Sequence, residues 1–509
     1  MGVTTRHAVL FSALLAAAVA APSIRNEFVA DDRWVVAGRT VLQHPPSVGA
    51  VLAEPYWPVT FGGSMWRPAV LISFALDYRV SESPHWFHAT NVVWAAIATA
   101  LFALLACELG GPLVGLIAGL LFAVHPVHVE AVANVVGRAE MMAAAGYAAA
   151  LLCALRAEHR RVYLLGVAAG AAFAIVSKEI AATLPATVFL VYIARGIDWR
   201  SAWRPAVAAT VPIVAYFVVY ALVNTHAVFF AGGLAVGLEG VGMLRRTSAM
   251  VPISLQWWRL LLVPAHLSAD YSPGELTVVS GMTFGHVAAV LVWGIVGYAA
   301  WRTRRTVPGI AIGLAWLVIT ISPVANIVVP TEFLIAERTL YLASFGVVFA
   351  LASAAMAIRS ARLRYTLVGV VVAAGALRTI AHIPTWHDDE QHYQALKRAA
   401  PRSYRTLWLE GKDEFAAGRW GSGERFLLEA IALAPGIAGP RLDLGRFYVS
   451  AKLWQPAIRQ LSAAVAVDSA LPPAWDALRA AYLGAGDTAA ANLILRRSST
   501  SARQHVGTN

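Results

Sequence analysis

Apolar residues run along this chain in blocks, separated by short polar gaps. The blocks cover about 8–22, 88–106, 113–126, 139–155, 162–177, 180–194, 205–223, 285–301, 307–323, 339–358 and 364–382. A helix needs about 20 mainly apolar residues to cross a bilayer, and several of these blocks approach that length. The pattern predicts an all-α fold: a polytopic membrane bundle of about eleven transmembrane helices.

The polar gaps give the orientation. With Arg6 in the cytoplasm and the blocks alternating, the inner gaps hold Arg156, Arg160 and Arg161, then Arg195, Arg200 and Arg204. Arg302, Arg304 and Arg305 follow, and then Arg359, Arg362 and Arg364. Outer gaps carry isolated cations such as Arg138 and Arg338. Four successive basic inner gaps obey the positive-inside rule and place the N-terminus in the cytoplasm. The first block ends Ala18-Val19-Ala20, which also reads as a signal-peptide cleavage site. An uncleaved span is expected, and either reading leaves the following segment outside.

Two long segments then face outward. Residues 23–87 contain Asp31 and Asp32, and residues 224–284 contain Gly232-Gly233 and an interfacial helix expected near Pro252–Pro264 with Trp257-Trp258. The membrane domain is taken as 1–384, with a helical bridge at 385–402. From 403 to 500 a different period appears, 34 residues long. Gly411 matches Gly445, Ala430 matches Ala464, Ala457 matches Ala491, and Leu407, Arg441 and Trp475 share a register. This is the tetratricopeptide period, and it predicts three repeats forming an α-solenoid, a protein-binding surface on the outer side. A disordered tail is expected over 501–509.

Composition agrees with a lipid environment. Apolar residues make up 58% and charged residues 14%, with a mean hydropathy of +0.62. A soluble domain has about 25% charged residues. The net charge of +11 lies in the basic gaps, so it implies membrane orientation and no nucleic-acid partner. Cys107 and Cys153 lie in or beside apolar blocks and read as packing residues, with no disulfide framework.

Ionisable residues near membrane spans are costly and tend to mark function. Asp31-Asp32 reads either as a solvated turn or cap, or as a general base that takes a proton from an acceptor hydroxyl. In HPVHVEAVANVVGRAE, residues 125–140, His125, His128 and Glu130 lie close in sequence. A divalent metal is one reading, but two histidines and a carboxylate are a thin ligand set. No metal ligand is assigned; a polar lining for the acceptor or a helix-packing role is the other reading. His88 and Asn91 are three apart and either line the outer cavity or anchor to headgroups. Ser177-Lys178-Glu179 reads as a local ion pair, or Lys178 as a cation for a phosphate. Glu337-Arg338, with Tyr341 nearby, reads as a snorkelling anchor or as a fork onto a phosphate. Outer carboxylates beside outer arginines suit one reaction class. A lipid phosphate leaves well if cations meet its charge, whereas the acceptor hydroxyl needs a base. Attack opposite the leaving phosphate would invert the anomeric centre.

The strings HPVHVEAVANVVGRAE, SKE and AERTLYL, with the early Asp-Asp and the repeats, resemble the transmembrane and tetratricopeptide-repeat-containing (TMTC-like) proteins. These are protein O-mannosyltransferase relatives with the integral-membrane glycosyltransferase fold called GT-C. The similarity covers most of the chain and includes WRPAVLISFALDYR at 66–79 and the bridge TWHDDEQHYQALKRAAP at 385–401. It implies Asp31 or Asp32 as the catalytic carboxylate, and Arg338 and Arg138 at the lipid phosphate. It also implies a polyprenyl-phosphate donor carrying mannose, and Ser or Thr hydroxyls of exported proteins as acceptors. The Ala/Arg/Gly-rich composition points to a bacterial inner membrane with the repeats in the periplasm; in a eukaryote the same face would be the endoplasmic reticulum lumen. Two other classes compete: a non-catalytic scaffold recruiting partners through its repeats, and a transporter. A transporter would carry charge at mid-depth of its spans, whereas here charge sits at the outer ends.

Overall fold

The computed structural model describes residues 2–58, 65–223, 235–278, 281–469 and 471–506. The Gly232-Gly233 pair lies outside the described residues. Every described regular element is a helix.

All eleven apolar blocks are helical, but they are not equally long. Seven stretches are long and apolar enough to cross a membrane: Thr5–Arg25, Pro84–Gly110, Val135–Ala157, Trp199–Leu222, Phe284–Thr303, Glu337–Ala355 and Ala361–Trp386. The block near 113–126 is a broken pair, Pro112–Ala123 and Pro126–Ala133, bent by 53°. Three blocks are shorter apolar helices, Tyr163–Ile175, Glu179–Ala194 and Pro308–Val324. The first two are short because Ser177 and Lys178 interrupt them, and Lys178 turns sideways to a buried carboxylate. The helices make a multi-pass membrane protein.

Small residues let these helices touch. A Cβ on Gly146 would meet the backbone of Gly170 and Ala174 at 2.9 Å, and one on Gly313 would lie 2.2 Å from the Gly346 carbonyl. Such approaches replace the hydrophobic drive that lipid removes. Phe102, Phe122, Tyr147, Trp316 and Phe345 fill the centre, with Phe102 and Phe345 stacked at 4.5 Å.

The described residues of segment 23–87 form a small helical cap with its own core. Val35, Val36, Leu42, Val51, Tyr56, Phe74 and Phe87 pack together and onto Val135 and Val136. Pro68–Tyr78 is an eleven-residue helix within it, too short to span. The helix expected near Pro252–Pro264 is longer, Met243–Leu262, and buries Met250, Ile253, Trp257 and Trp258.

Beyond Trp386 the bridge helix is Asp389–Ala399, started by the Asp388 side chain, which accepts from the Gln391 N–H. Three helical hairpins follow, and their first helices begin at Tyr404, Ala438 and Pro472, 34 residues apart. The glycine period has a packing reason: a Cβ on Gly411 would strike Leu427 at 2.8 Å, and one on Gly445 would strike Leu461 at 2.4 Å. Arg441, in the register of larger apolar residues, reaches Gln460 at 3.3 Å. The last helix runs to Val506, into the stretch expected to be a tail; 507–509 lie outside the described residues.

Candidate active site

The break at His125 puts irregular backbone deep inside the protein, where no water can satisfy it. Residues 124–148 are all buried, and the side chains singled out from sequence gather around them. Asp32, fully buried, accepts from the backbone N–H of Val135 at 3.1 Å, Val136 at 2.8 Å and Val29 at 3.4 Å. Asn91 donates to the carbonyls of Val132, Asn134 and Val135 at 3.1–3.4 Å. His88 donates to the Glu27 carbonyl at 3.2 Å, and His125 to the Leu261 carbonyl at 3.0 Å. His128 lies 2.8 Å from the Ser344 hydroxyl. These residues form a buried collar that holds a broken helix in place.

Ion pairs complete the collar: Asp77 with Arg138 at 2.5 Å, Glu179 with Arg67 at 2.8 Å, Glu140 with Lys178, and Glu130 with Arg338. This changes the expected role of Arg138. Its Nε donates to Asn91 at 2.7 Å, Nη1 to Ser73 and Asp77, and Nη2 to the Phe87 carbonyl and Thr90. A guanidinium has five N–H donors, so none remains for a phosphate. Lys178 is similarly committed to Glu140, whose side chain is 1% exposed. Tyr341 is wedged between Phe122 and His128, with ring centroids 5.2 and 4.3 Å away. Glu337 is buried and accepts from the Tyr271 hydroxyl at 2.5 Å and the Ser268 N–H at 2.7 Å.

Among the described residues no three His, Cys, Asp or Glu side chains converge on a point that could hold a metal. His125 and His128 already spend their Nε2 atoms on protein partners, so the ligand set weighed from sequence does not fit a cation here.

Beside the collar lie Asp31 and Arg338, close enough that the Asp31 charge acts on the Arg338 guanidinium; the region they share is here termed the vestibule. Asp31 is partly exposed, and its carboxylate forms no hydrogen bond or ion pair among the described residues. Arg338 keeps its side chain 28% exposed. Its backbone N–H and Nη1 bind Glu130, while Nε and Nη2 have no acceptor among the described residues. Glu332, six residues before Arg338, lies within the fields of Arg67, Arg338, Asp31 and Arg405. Burial holds the Glu332 carboxyl above the ordinary carboxylate range. Burial also pushes the Asp32 carboxyl up to about 7, against the three N–H donors that pull it down.

The Asp31 loop is held from the bridge. Ala30 has a left-handed φ of 51°, costly for a residue with a Cβ, and its N–H donates to Asp389 at 3.2 Å. The other Asp389 oxygen binds Arg33 Nε at 2.5 Å, and the Glu27 N–H donates to the His387 carbonyl at 2.8 Å. Bridge contacts therefore clamp both sides of Asp31.

Sequence reading did not single out Asp77, Glu140, Arg67, Glu332, Asp389 or Arg405. A signal existed for the first three: Arg67 and Asp77 are two of the three charges of WRPAVLISFALDYR, the third being its last residue Arg79, and Glu140 closes HPVHVEAVANVVGRAE. Charges within apolar runs demand partners. Glu332 stands in the apolar run IVVPTEFLIA and Asp389 in the bridge string TWHDDEQHYQALKRAAP, so each also had a signal; Arg405 lies in polar sequence, where nothing distinguishes it from surface charge.

Comparison with known proteins places these features in context. The chain is similar to a protein O-mannosyl-transferase of Caenorhabditis elegans, 24% identical over 63% of this chain and 47% of the relative. It is similar to the human protein O-mannosyl-transferase TMTC3, 23% identical over 83% of this chain and 51% of that one. The mouse protein O-mannosyl-transferase TMTC4 is 24% identical over 77% of this chain and 62% of its own length. The chain spans about half the length of the curated relatives it matches. No protein-family model matches it.

Proposed function

From the premise that the chain is TMTC-like over most of its length, we propose that it is a GT-C-type glycosyltransferase. In this reading it moves mannose from a polyprenyl-phosphate donor to Ser or Thr hydroxyls of exported proteins, on the outer face of the membrane. The observation that carries the reading is an Asp31 carboxylate with no partner among the described residues, its charge acting on a partly exposed arginine, Arg338.

Asp31 takes the proton from the acceptor hydroxyl as its oxygen attacks the anomeric carbon. The new bond forms between that oxygen and the sugar, and the bond from the sugar to the phosphate oxygen breaks. The electron pair leaves with the polyprenyl phosphate, which gains one negative charge. The proton on Asp31 passes to water. Attack from the side opposite the phosphate inverts the anomeric centre. Arg338 meets the developing charge with the two nitrogens that Glu130 does not use, and fixed cations are most effective where charge appears during reaction. Asp32, Arg138 and Lys178 act here as the frame, not as reacting groups.

The three hairpins at a spacing of 34 are read as tetratricopeptide repeats that present acceptor protein to the vestibule. The Ala/Arg/Gly-rich composition and the basic inner gaps support a bacterial inner membrane with the N-terminus in the cytoplasm and the repeats in the periplasm; in a eukaryote the same face would be the endoplasmic reticulum lumen. The test is transfer of mannose from a polyprenyl-phosphate mannose to a Ser-containing peptide by the purified chain. Activity in the parent protein and its loss in Asp31→Asn support the reading; undiminished transfer by that variant would sink it.

A further inference from the structure

The vestibule has a charge deficit. Arg67 is neutralised by Glu179, and Arg338 is largely neutralised by Glu130. Asp31, Asp270 and Glu332 add negative charge. A lipid phosphate entering this space, and becoming more negative as the sugar leaves, needs a cation not already spent.

One is supplied from outside the membrane domain. Arg405 is the second residue of the first hairpin helix, Tyr404–Ala416. It is exposed, and the fields of Asp270 and Asp31 reach its guanidinium. Its Nε donates to the Tyr404 hydroxyl at 3.1 Å, and neither Nη group has an acceptor among the described residues. Arg405 thus has no carboxylate bound to it among the described residues, and it lies beside this region: its neighbour Tyr404 meets Pro273, two residues from the Tyr271 that donates to Glu337, next to Arg338.

Its position is rigid. The Tyr404 N–H donates to the Pro273 carbonyl at 3.2 Å, and the Arg402 N–H donates to Glu275 at 2.7 Å. Gly274, at φ 102°, lets the two chains meet: a Cβ there would lie 1.8 Å from the Arg402 carbonyl. Tyr404 and Leu407 are buried against Val236 of the outer segment 224–284. The first hairpin is therefore welded to the membrane domain one residue from Arg405.

We propose that Arg405 is a second binding residue for the donor phosphate, so that the repeat region supplies part of the donor site as well as any acceptor surface. Two Nη groups on a planar fork match two phosphate oxygens. The inference rests on the lipid-phosphate reading of the vestibule.

The test uses the full chain in detergent, with a ten-carbon polyprenyl monophosphate as probe, inorganic phosphate as a second probe, and binding read by tryptophan fluorescence. Arg405→Ala should bind the polyprenyl phosphate roughly tenfold to a hundredfold more weakly, the loss expected for a charge-assisted bond. Arg405→Lys should fall between, because it keeps charge and loses the fork. Arg419→Ala, which removes an exposed pair with Glu414 within the first hairpin, should bind as the parent does. Inorganic phosphate should follow the same order at lower affinity. Equal binding by the parent and Arg405→Ala overturns the role of Arg405 and leaves the transferase reading standing. No binding by the parent overturns the lipid-phosphate reading itself. If Arg405→Ala melts early, Arg405→Lys decides: a folded lysine variant with parental affinity and parental salt dependence overturns the proposal.

Discussion

The collar around residues 124–138 and the vestibule beside it are built from the same residue types, carboxylates and arginines, yet they do opposite work. In the collar every charge meets a partner: Arg138 uses all five donors, and Asp32 receives three backbone N–H groups. In the vestibule Asp31 has no such partner among the described residues, and Arg338 and Arg405 hold donors in reserve. Asp31 and Asp32 stand on either side of this division while adjacent in the chain. A buried charge must be satisfied by the fold itself, whereas a reacting charge must be left for substrate. Position in the sequence does not separate the two cases.

The comparison can be broken by exchanging the roles of the two aspartates. Asp31→Asn should lower sugar transfer by about a hundredfold or more, the usual scale of general-base catalysis, and leave the melting temperature unchanged. Asp32→Asn should do the reverse, costing about 1–3 kcal/mol of stability because an amide nitrogen now faces backbone N–H donors. A paired measurement of transfer and thermal unfolding checks both, and a stable, inactive Asp32→Asn would erase the distinction. Arg138→Ala should cost about 3–5 kcal/mol by leaving Asp77 buried and unpaired. Thermal unfolding in detergent reads this, and loss of donor affinity in a fully stable Arg138→Ala would return that arginine to the phosphate.

A smaller effect sharpens the picture at the clamp. Asp389→Asn keeps the shape but weakens the bond to the Ala30 N–H. Its pair with Arg33 is about half exposed and adds little to stability. The turnover number should fall roughly tenfold with little change in donor KM, as expected for a misplaced base. An altered melting temperature with normal turnover would make the contact merely structural. The smallest effect is in pH. Folded Asp32 keeps its proton up to about 7, against 3.8 for a free side chain. The folded state therefore binds the extra proton between those values. The stability this adds is complete below about 3.8 and lost as pH climbs towards 7. The difference in melting temperature between the parent and Asp32→Asn should shrink or reverse across that window; a difference independent of pH would remove Asp32 as its source.

Much of the fold was legible because its signals are local. Each apolar block became a helix, since lipid leaves the backbone no other partner than itself. The period of 34 located three hairpins, because Gly411 and Gly445 must each admit a leucine from the paired helix. Span length was read less well at Tyr163–Ile175 and Glu179–Ala194, where Lys178 ends the helix for the sake of Glu140.

For the site, residue types came from sequence, and Asp31, Asp32, Arg138, Glu130 and Arg338 lie around one region of the fold. Which of them is free did not come from sequence. Pairings such as Arg138 with Asp77 and Arg338 with Glu130 join residues 61 and 208 positions apart. Asp389 reaches the Asp31 loop, and Arg405 comes within the field of Asp31, only because the bridge and first hairpin fold back onto the membrane domain. Sequence by itself determined where the chain meets lipid and where it repeats, since both follow from periodicity along the chain. Only tertiary structure decided which charges are spent and which are available, because neutralising a charge depends on what lies within a few ångströms in space.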